Sequence, residues 1–336
     1  MNASQVLIAV DAHAGGDPMR VLVAGGPVLR GATVAHRMAH CAETHDWLRR
    51  ALILEPRGHA DMMGAVLTPP ALADADFGVF FMHAAGYLPM CGHGTLALIT
   101  ALAQVGSVPW TAGEARAVFD TPAGAVQARA VRTDAGSSYA EVVNVPSVAL
   151  DLDVRLTLAD GRAVLADIAY AGNAYVIVEA GQLGLDVEPG AVAGLKEAWR
   201  EIRDAANSQL HLRHPFNGAP LGPIDLVQFF GPPRHPRAHA RNVVICSGQI
   251  SRSPCGTGTC ARAAALWARG ALRPGGEFVN EGMAGMVFSV RPMEEVRTEG
   301  RSGIIPLLTG EAYLTAIHQF VVDPEDPFRY GLGIDH

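Results

Sequence analysis

The chain has 336 residues, 49% of them apolar and 18% charged, with a formal net charge of −7. That size suits one large domain or two of about 150 residues, and so much apolar content excludes a disordered chain. An acidic balance without a basic block excludes nucleic acid as a partner, and no apolar run reaches the ~18 residues that would span a bilayer, so no membrane partner is expected.

The opening residues, Met1 to Gln5, carry neither the positive start nor the long apolar core of a secretory signal. Strand-length apolar runs follow at 6–10 and 20–24, after which Thr33 caps a helix running to Arg50. Strands are expected at 64–67 and 78–82, a helix over the apolar run 96–103, and strands again at 115–119, 125–131, 140–145, 163–170 and 175–178. Residues 191–210 carry a mixed amphipathic helical pattern. Strands at 226–230 and 242–246, a helix over 261–267, and strands at 286–290 and 312–317 complete the series. Gly, Pro and Asp separate these runs, as turns require.

Many short strands with few helices argue against the regular alternation of a doubly wound sheet. The pattern predicts an α/β fold of the α+β kind, in two pseudo-symmetric halves that each wrap strands around one apolar helix. The polar stretch from Arg132 to Tyr139 marks the boundary, giving halves at 1–135 and 136–317, with 318–336 rejoining the first. Cysteines at 41, 91, 246, 255 and 260 are an odd number in a long chain. That count argues against a disulfide framework and for a reducing, cytoplasmic setting.

One phrase occurs twice. Cys91-Gly92-His93-Gly94-Thr95 and Cys255-Gly256-Thr257-Gly258-Thr259 both read Cys-Gly-x-Gly-Thr, and each opens one of the two apolar helices. A thiol at a helix start lies at the positive end of the dipole, which stabilises thiolate. The glycines let backbone N–H groups approach a ligand, and the unpaired N–H groups of a first turn bind anions such as a carboxylate. Two such starts predict a carboxylate gripped by Gly92, His93, Gly256 and Thr257, with the adjacent carbon between Cys91 and Cys255. That arrangement suits proton abstraction alpha to a carboxylate, where tunable thiols act as base and acid and fixed donors stabilise the forming charge. A lone Cys-Gly before a helix is more often a turn with a buried thiol; duplication favours the functional reading. Cys41, Cys246 and Cys260 read as core packing. Zinc held by Cys91, His93, Cys255 and Cys260 is the rival reading, but close Cys-x-x-Cys pairing is absent. No Lys follows Gly-Thr as a phosphate-binding loop would have.

On these residues the chain resembles the proline racemase superfamily. The likeness extends through Asp11-Ala12-His13-Ala14-Gly15-Gly16-Asp17-Pro18, Leu54-Glu55-Pro56-Arg57-Gly58, Gly86-Tyr87-Leu88-Pro89-Met90 before the first cysteine, Asp120-Thr121-Pro122-Ala123-Gly124, and Arg252-Ser253-Pro254 before the second. The resemblance implies the diaminopimelate epimerase fold, with the site in the cleft between its halves, no cofactor and no metal. It makes Cys91 and Cys255 the two acid/base groups, and has Gly92, His93, Gly256 and Thr257 hold the carboxylate and nearby ring atoms. Retention of both thiols, where many dehydratases replace one, favours inversion.

Two departures bear on the substrate. The family's racemases and epimerases carry Asp four residues before the second cysteine, against the ring nitrogen; here the position is Ser251. Either another carboxylate such as Asp225 takes that role, Asp225 otherwise being a turn residue before a strand, or the amine is held differently. The stretches Phe81-Met82-His83, Asp167 to Tyr170 and Ala180 to Leu185 resemble the dehydratase branch. His83 is then a candidate contact for a ring hydroxyl, or a structural hydrogen-bonder, and His13 carries the same two readings. The expected function is inversion at the α-carbon of a proline-type imino acid, 4-hydroxyproline ahead of proline. The alternatives are a trans-3-hydroxy-L-proline dehydratase and, outside catalysis, an imino-acid binding or sensing protein. The partner is a small imino acid, and a second copy of the chain is the one macromolecular partner kept open.

Overall fold

The computed structural model of the chain describes residues 5–133 and 138–332. They form two compact units, one running to Val142 and resuming at Thr309, the other Val143–Leu308. The expected boundary at 135/136 lies outside the described residues, and the chain divides at 142/143 instead. The second boundary moves from 317/318 to 308/309. The reason is a strand, Ala312–Val322, which pairs along its whole length with the first strand from Ala14↔Ala312 to Gln5↔Val322.

The first unit contains β1 (Gln5–Ala14), β2 (Asp17–Ala24), α1 (Val34–Thr44), α2 (Trp47–Ile53), β3 (Met63–Thr68), β4 (Phe77–His83), β5 (Gly86–Leu88), α3 (Gly92–Gln104), β6 (Glu114–Thr121), β7 (Gly124–Arg132) and β8 (Ser138–Val143). The second contains β9 (Ser147–Thr157), β10 (Ala163–Tyr170), β11 (Ala174–Glu179), α4 (Val192–Gln209), β12 (Leu226–Gly231), β13 (Ala240–Cys246), β14 (Gln249–Ile250), α5 (Gly256–Ala268), β15 (Phe278–Glu281), β16 (Val287–Thr298) and β17 (Arg301–Gly310). β18 (Ala312–Val322) completes the first. The single helix expected from Thr33 to Arg50 is two. The Thr33 hydroxyl accepts from His36 N at 3.2 Å as expected, but α1 ends at Thr44. Asp46 then turns its carboxylate to the Arg49 guanidinium (2.7 Å) and the Tyr87 hydroxyl (3.0 Å), and α2 begins behind it.

Each unit has the same pairing scheme. In the first, β1 pairs antiparallel with β2, β2 parallel with β3, β3 antiparallel with β4, β4 parallel with β6, and β6 antiparallel with β7. In the second the same relations join β10 to β11, β11 to β12, β12 to β13, β13 to β15, and β15 to β16. Parallel neighbours need a crossover; α1–α2 and α3 supply it in one unit, α4 and α5 in the other. A register shift opposite Asp11/Ala12 of β1 recurs opposite Ile168/Ala169 of β10.

These registers equate positions that share no sequence. Gly78↔Asp120 matches Arg241↔Glu281. Asp120 accepts from Ala71 N (2.7 Å) and Leu72 N (3.1 Å), Glu281 from Arg234 N (2.6 Å) and His235 N (2.9 Å). Each acid pins the loop that leads into the strand lying parallel to its own. The Asp120-Thr121-Pro122-Ala123-Gly124 motif is therefore an anchor at this residue.

α3 is buried all round from Gly92 to Ala103, as a helix with strands about it must be. The outer face of β4 (Phe80, Met82) packs with Leu48, Leu52 and Ile53 of α2. In the second unit Val227, Phe229, Val243 and Ile245 pack with Leu195, Trp199 and Ile202 of α4. Among the described residues no helix is long and apolar enough to cross a membrane.

Candidate active site

Each position of the repeated phrase has a physical task. Cys91 and Cys255 are the N-caps of α3 and α5, and neither side chain caps its helix. The last residue of the phrase ties the turn: Thr95 Oγ1 donates to Cys91 O at 2.8 Å, and Thr259 Oγ1 to Cys255 O at 2.7 Å. The second glycine makes room for sulfur. A Cβ on Gly94 would come within 3.0 Å of both Cys91 Sγ and Phe81, and one on Gly258 within 3.0 Å of Cys255 Sγ and 3.1 Å of Gln228 Oε1. Both glycines are needed so that the thiol can lie over the helix start.

In the first unit the middle residue of the phrase turns back on its cysteine. His93 Nδ1 lies 3.4 Å from Cys91 Sγ, and both side chains are buried. Burial pushes the His93 imidazole below its ordinary value, partly opposed by the Asp17 carboxylate, so the ring beside Cys91 is neutral near pH 7. His83 ends β4 on the same face as Phe81, the face that meets the start of α3. It is 5% exposed, and its Nδ1 accepts from Ala85 N at 3.4 Å. His13 is a turn former: its Nδ1 accepts from Gly16 N at 3.3 Å, and its ring lies against Tyr313.

In the second unit the same position, Thr257, turns to a residue that sequence reading passed over. The Tyr175 hydroxyl lies 2.6 Å from Thr257 Oγ1 and 3.7 Å from Cys255 Sγ, with Tyr175 only 1% exposed. Gln228 is fully buried on the α5 face of β12, and its carboxamide makes no hydrogen bond to the described residues. By register Tyr175 matches Met19 and Gln228 matches Ala65. At these two strand positions the second unit is polar where the first is apolar. One polar residue inside the apolar run 226–230 was the sequence signal for Gln228; Tyr175 gave none, because an aromatic residue fits a strand core equally well.

The two cysteines also differ in backbone. Cys91 is extended (φ −143°, ψ 109°), whereas Cys255 has φ 59° and ψ 115°, a conformation costly for a residue with a Cβ. The turn is held from behind. Pro254 O accepts from Asn242 Nδ2 at 2.9 Å and lies 3.0 Å from Thr259 Oγ1, whose one hydrogen it shares with Cys255 O, while Ser253 Oγ accepts from Cys255 N at 3.1 Å.

The two polar candidates near Cys255 have partners of their own. Ser251 Oγ accepts from Val244 N at 2.9 Å and so continues the β13 ladder. Asp225, half-buried before β12, accepts from the Ser247 hydroxyl at 2.5 Å and the Cys246 thiol at 3.4 Å, the geometry of a turn residue. Cys246 occupies the register position of His83, each opening a hairpin with a two-residue turn. Burial and the Asp225 charge push its thiol up, and burial does the same for Cys260. Cys41 is fully buried in the first unit's core. Among the described residues no group of three or more His, Cys, Asp or Glu side chains could hold a metal.

Comparison with known proteins places this geometry. The model of the family described as proline racemase matches residues 9–333. This chain belongs to the proline racemase family. It is 38% identical over 332 residues to the proline racemase of Clostridioides difficile, covering 98% of this chain and 99% of that one. A trans-3-hydroxy-L-proline dehydratase of Bacillus cereus is 37% identical over 332 residues, with 98% and 99% covered. Among solved structures, a hydroxyproline epimerase of Agrobacterium vitis with bound trans-4-hydroxy-L-proline superposes with a TM-score of 0.91 at 29% identity, covering 99% of this chain and 96% of that one. As a proline racemase family member the chain has the family's diaminopimelate-epimerase-like fold and is an isomerase of the racemase and epimerase class.

Proposed function

We propose that this isomerase inverts the α-carbon of a proline-type imino acid, 4-hydroxyproline ahead of proline, with Cys91 and Cys255 as the acid/base pair. The observation that carries the reading is the twice-built helix start: a thiol at the N-cap, a glycine beneath the sulfur, and a polar side chain against it. One cysteine as thiolate takes the α-hydrogen, leaving its electron pair to spread into the carboxylate. The other, as thiol, returns a proton to the opposite face, and exchanging their protonation states runs the reaction backwards. Gly92, His93, Gly256 and Thr257 lie on the first turns whose N–H groups lack intrahelical partners, which suits them to the carboxylate. His83, at the end of β4 on the face that meets the start of α3, is the proposed contact for the ring, and the proposed chemistry asks for no cofactor. The epimerase and racemase relatives support inversion as the outcome.

The test is incubation of proline, both 4-hydroxyproline epimers and trans-3-hydroxy-L-proline in deuterated water, followed by chiral separation. Deuterium on the α-carbon with inverted product is expected. Cys91→Ser or Cys255→Ser should each slow inversion by roughly 10²–10⁴-fold, the usual contribution of a general acid or base, with the fold kept. Absence of exchange with all four substrates, or full activity in either serine variant, would refute the assignment. The dehydratase relative makes one alternative specific: a pyrroline product from trans-3-hydroxy-L-proline alone would replace inversion by elimination after the same first step.

A further inference from the structure

The chain of hydroxyls at the second helix start leads further. Tyr175 on β11 touches both Cys255 Sγ (3.7 Å) and Thr257 Oγ1 (2.6 Å). A phenol has a single hydrogen to donate. When Cys255 is a thiolate it can only accept; Tyr175 then donates to sulfur, and Thr257 donates to the Tyr175 oxygen. When Cys255 is a thiol, S–H points to the Tyr175 oxygen, Tyr175 donates to Thr257 Oγ1, and the Thr257 hydrogen is released. The polarity of the chain follows the proton on sulfur.

We propose that Tyr175 is a positioning residue that joins Cys255 to Thr257, so that arrival of the substrate's α-proton on Cys255 turns the Thr257 hydroxyl toward the substrate carboxylate. The inference rests on the proposed function for that carboxylate and for the α-proton. The step balances: the C–H bond breaks, S–H forms, the electron pair passes into the carboxylate, and the hydroxyl hydrogens rotate without leaving their oxygens. A donor thus arrives where negative charge grows, at the moment it grows, which is stabilisation confined to the transition state. The first unit lacks the device, since Met19 holds the matching register position and Cys91 meets a neutral His93. The Cys246 and Cys260 thiols also face Cys255, with Asp225 behind Cys246. Burial pushes both thiols up, which leaves them uncharged near neutrality. The β12 neighbour, Gln228, is uncharged.

The experiment uses the full chain with Tyr175→Phe, which removes one oxygen and keeps the ring. Iodoacetamide labelling of Cys255, followed across pH by mass spectrometry of its peptide, needs no substrate. Its midpoint should rise by about one to two pH units, the worth of one hydrogen bond to a charged group. With a turned-over substrate, kcat should fall on the order of 10²-fold while KM changes little. Thr257→Val, which cuts the far end of the chain, should lower kcat while moving the labelling midpoint less, and Thr257→Ser should restore kcat. An unmoved midpoint in Tyr175→Phe, or equal kcat in Thr257→Val and the wild type, overturns the inference. If the wild type turns over none of the imino acids yet the midpoint still rises, the proposed substrate fails and the link between Tyr175 and Cys255 stands.

Discussion

The backbone at Cys255 makes a prediction in which a sign, rather than a size, is decisive. At φ 59° and ψ 115° a Cβ is strained, whereas Cys91 sits at φ −143° and ψ 109°, where any residue is comfortable. Residues held in such sparsely populated regions cost about 1–3 kcal/mol, while glycine loses about 0.5–1 kcal/mol relative to alanine through unfolded-chain entropy. Both sulfurs are buried, so losing the thiol costs a similar amount in glycine and alanine variants and cancels within each pair. Cys255→Gly should therefore be more stable than Cys255→Ala, by about 1 kcal/mol at the middle of these ranges and up to about 2.5 kcal/mol, after the entropy cost is taken off. At Cys91 the order should invert, with Cys91→Gly below Cys91→Ala by about 0.5–1 kcal/mol. Urea unfolding of the four variants in one buffer measures both differences, which correspond to about 2–4 °C in Tm per kcal/mol for domains of 150–250 residues. Alanine outranking glycine at both positions would refute the claim that Cys255 is held strained by the bonds on Pro254, Ser253 and Thr259.

Other measurements probe the surroundings. His93 is pushed down by burial, so the unfolded chain takes up a proton that the folded one refuses. Stability from this group is complete above the unfolded value near pH 6.5 and is lost as pH falls toward the lower folded value; His93→Gln should flatten the wild type's stability loss below about pH 6.5, and parallel curves would contradict this. Asp120→Ala removes an acceptor from two loop N–H groups and should cost about 2–4 kcal/mol in urea unfolding. Glu281→Ala should cost more, because the buried Arg241 guanidinium 3.8 Å away loses a partner as well; the opposite order would show that the loops are held by other contacts.

Each of the thirteen apolar runs read from sequence falls on a strand, 140–145 overrunning it by two residues and 286–290 by one, because each buries one face against a core and so stays mostly apolar. β9 was passed over: Leu150-Asp151-Leu152-Asp153-Val154 alternates apolar with acidic residues, and its acids face outward. β5 and β14 are too short to carry a pattern, and their existence follows from two-residue turns. The two helix starts that carry the repeated phrase were legible because their geometry is local, set by one turn each. Tyr175, Gln228 and the matching of His83 with Cys246 were not. Those neighbours meet through strand register across distant parts of the chain, and no spacing in the sequence encodes register between strands joined by a crossover. The same gap made Asp225 a candidate, since its hold on Ser247 and Cys246 exists only once β12 and β13 are paired.

The origin of β18 has a consequence for biosynthesis. β9 precedes β10 in the chain and pairs with it, whereas β18, its counterpart beside β1, follows the whole second unit. The second unit is thus one uninterrupted stretch, able to close as soon as it emerges from the ribosome. The first must wait, one flank of β1 unpaired by β18, until the segment after Leu308 arrives. A released chain ending at Leu308 should then protect Val143–Leu308 from protease while β1, without β18 beside it, stays open to attack.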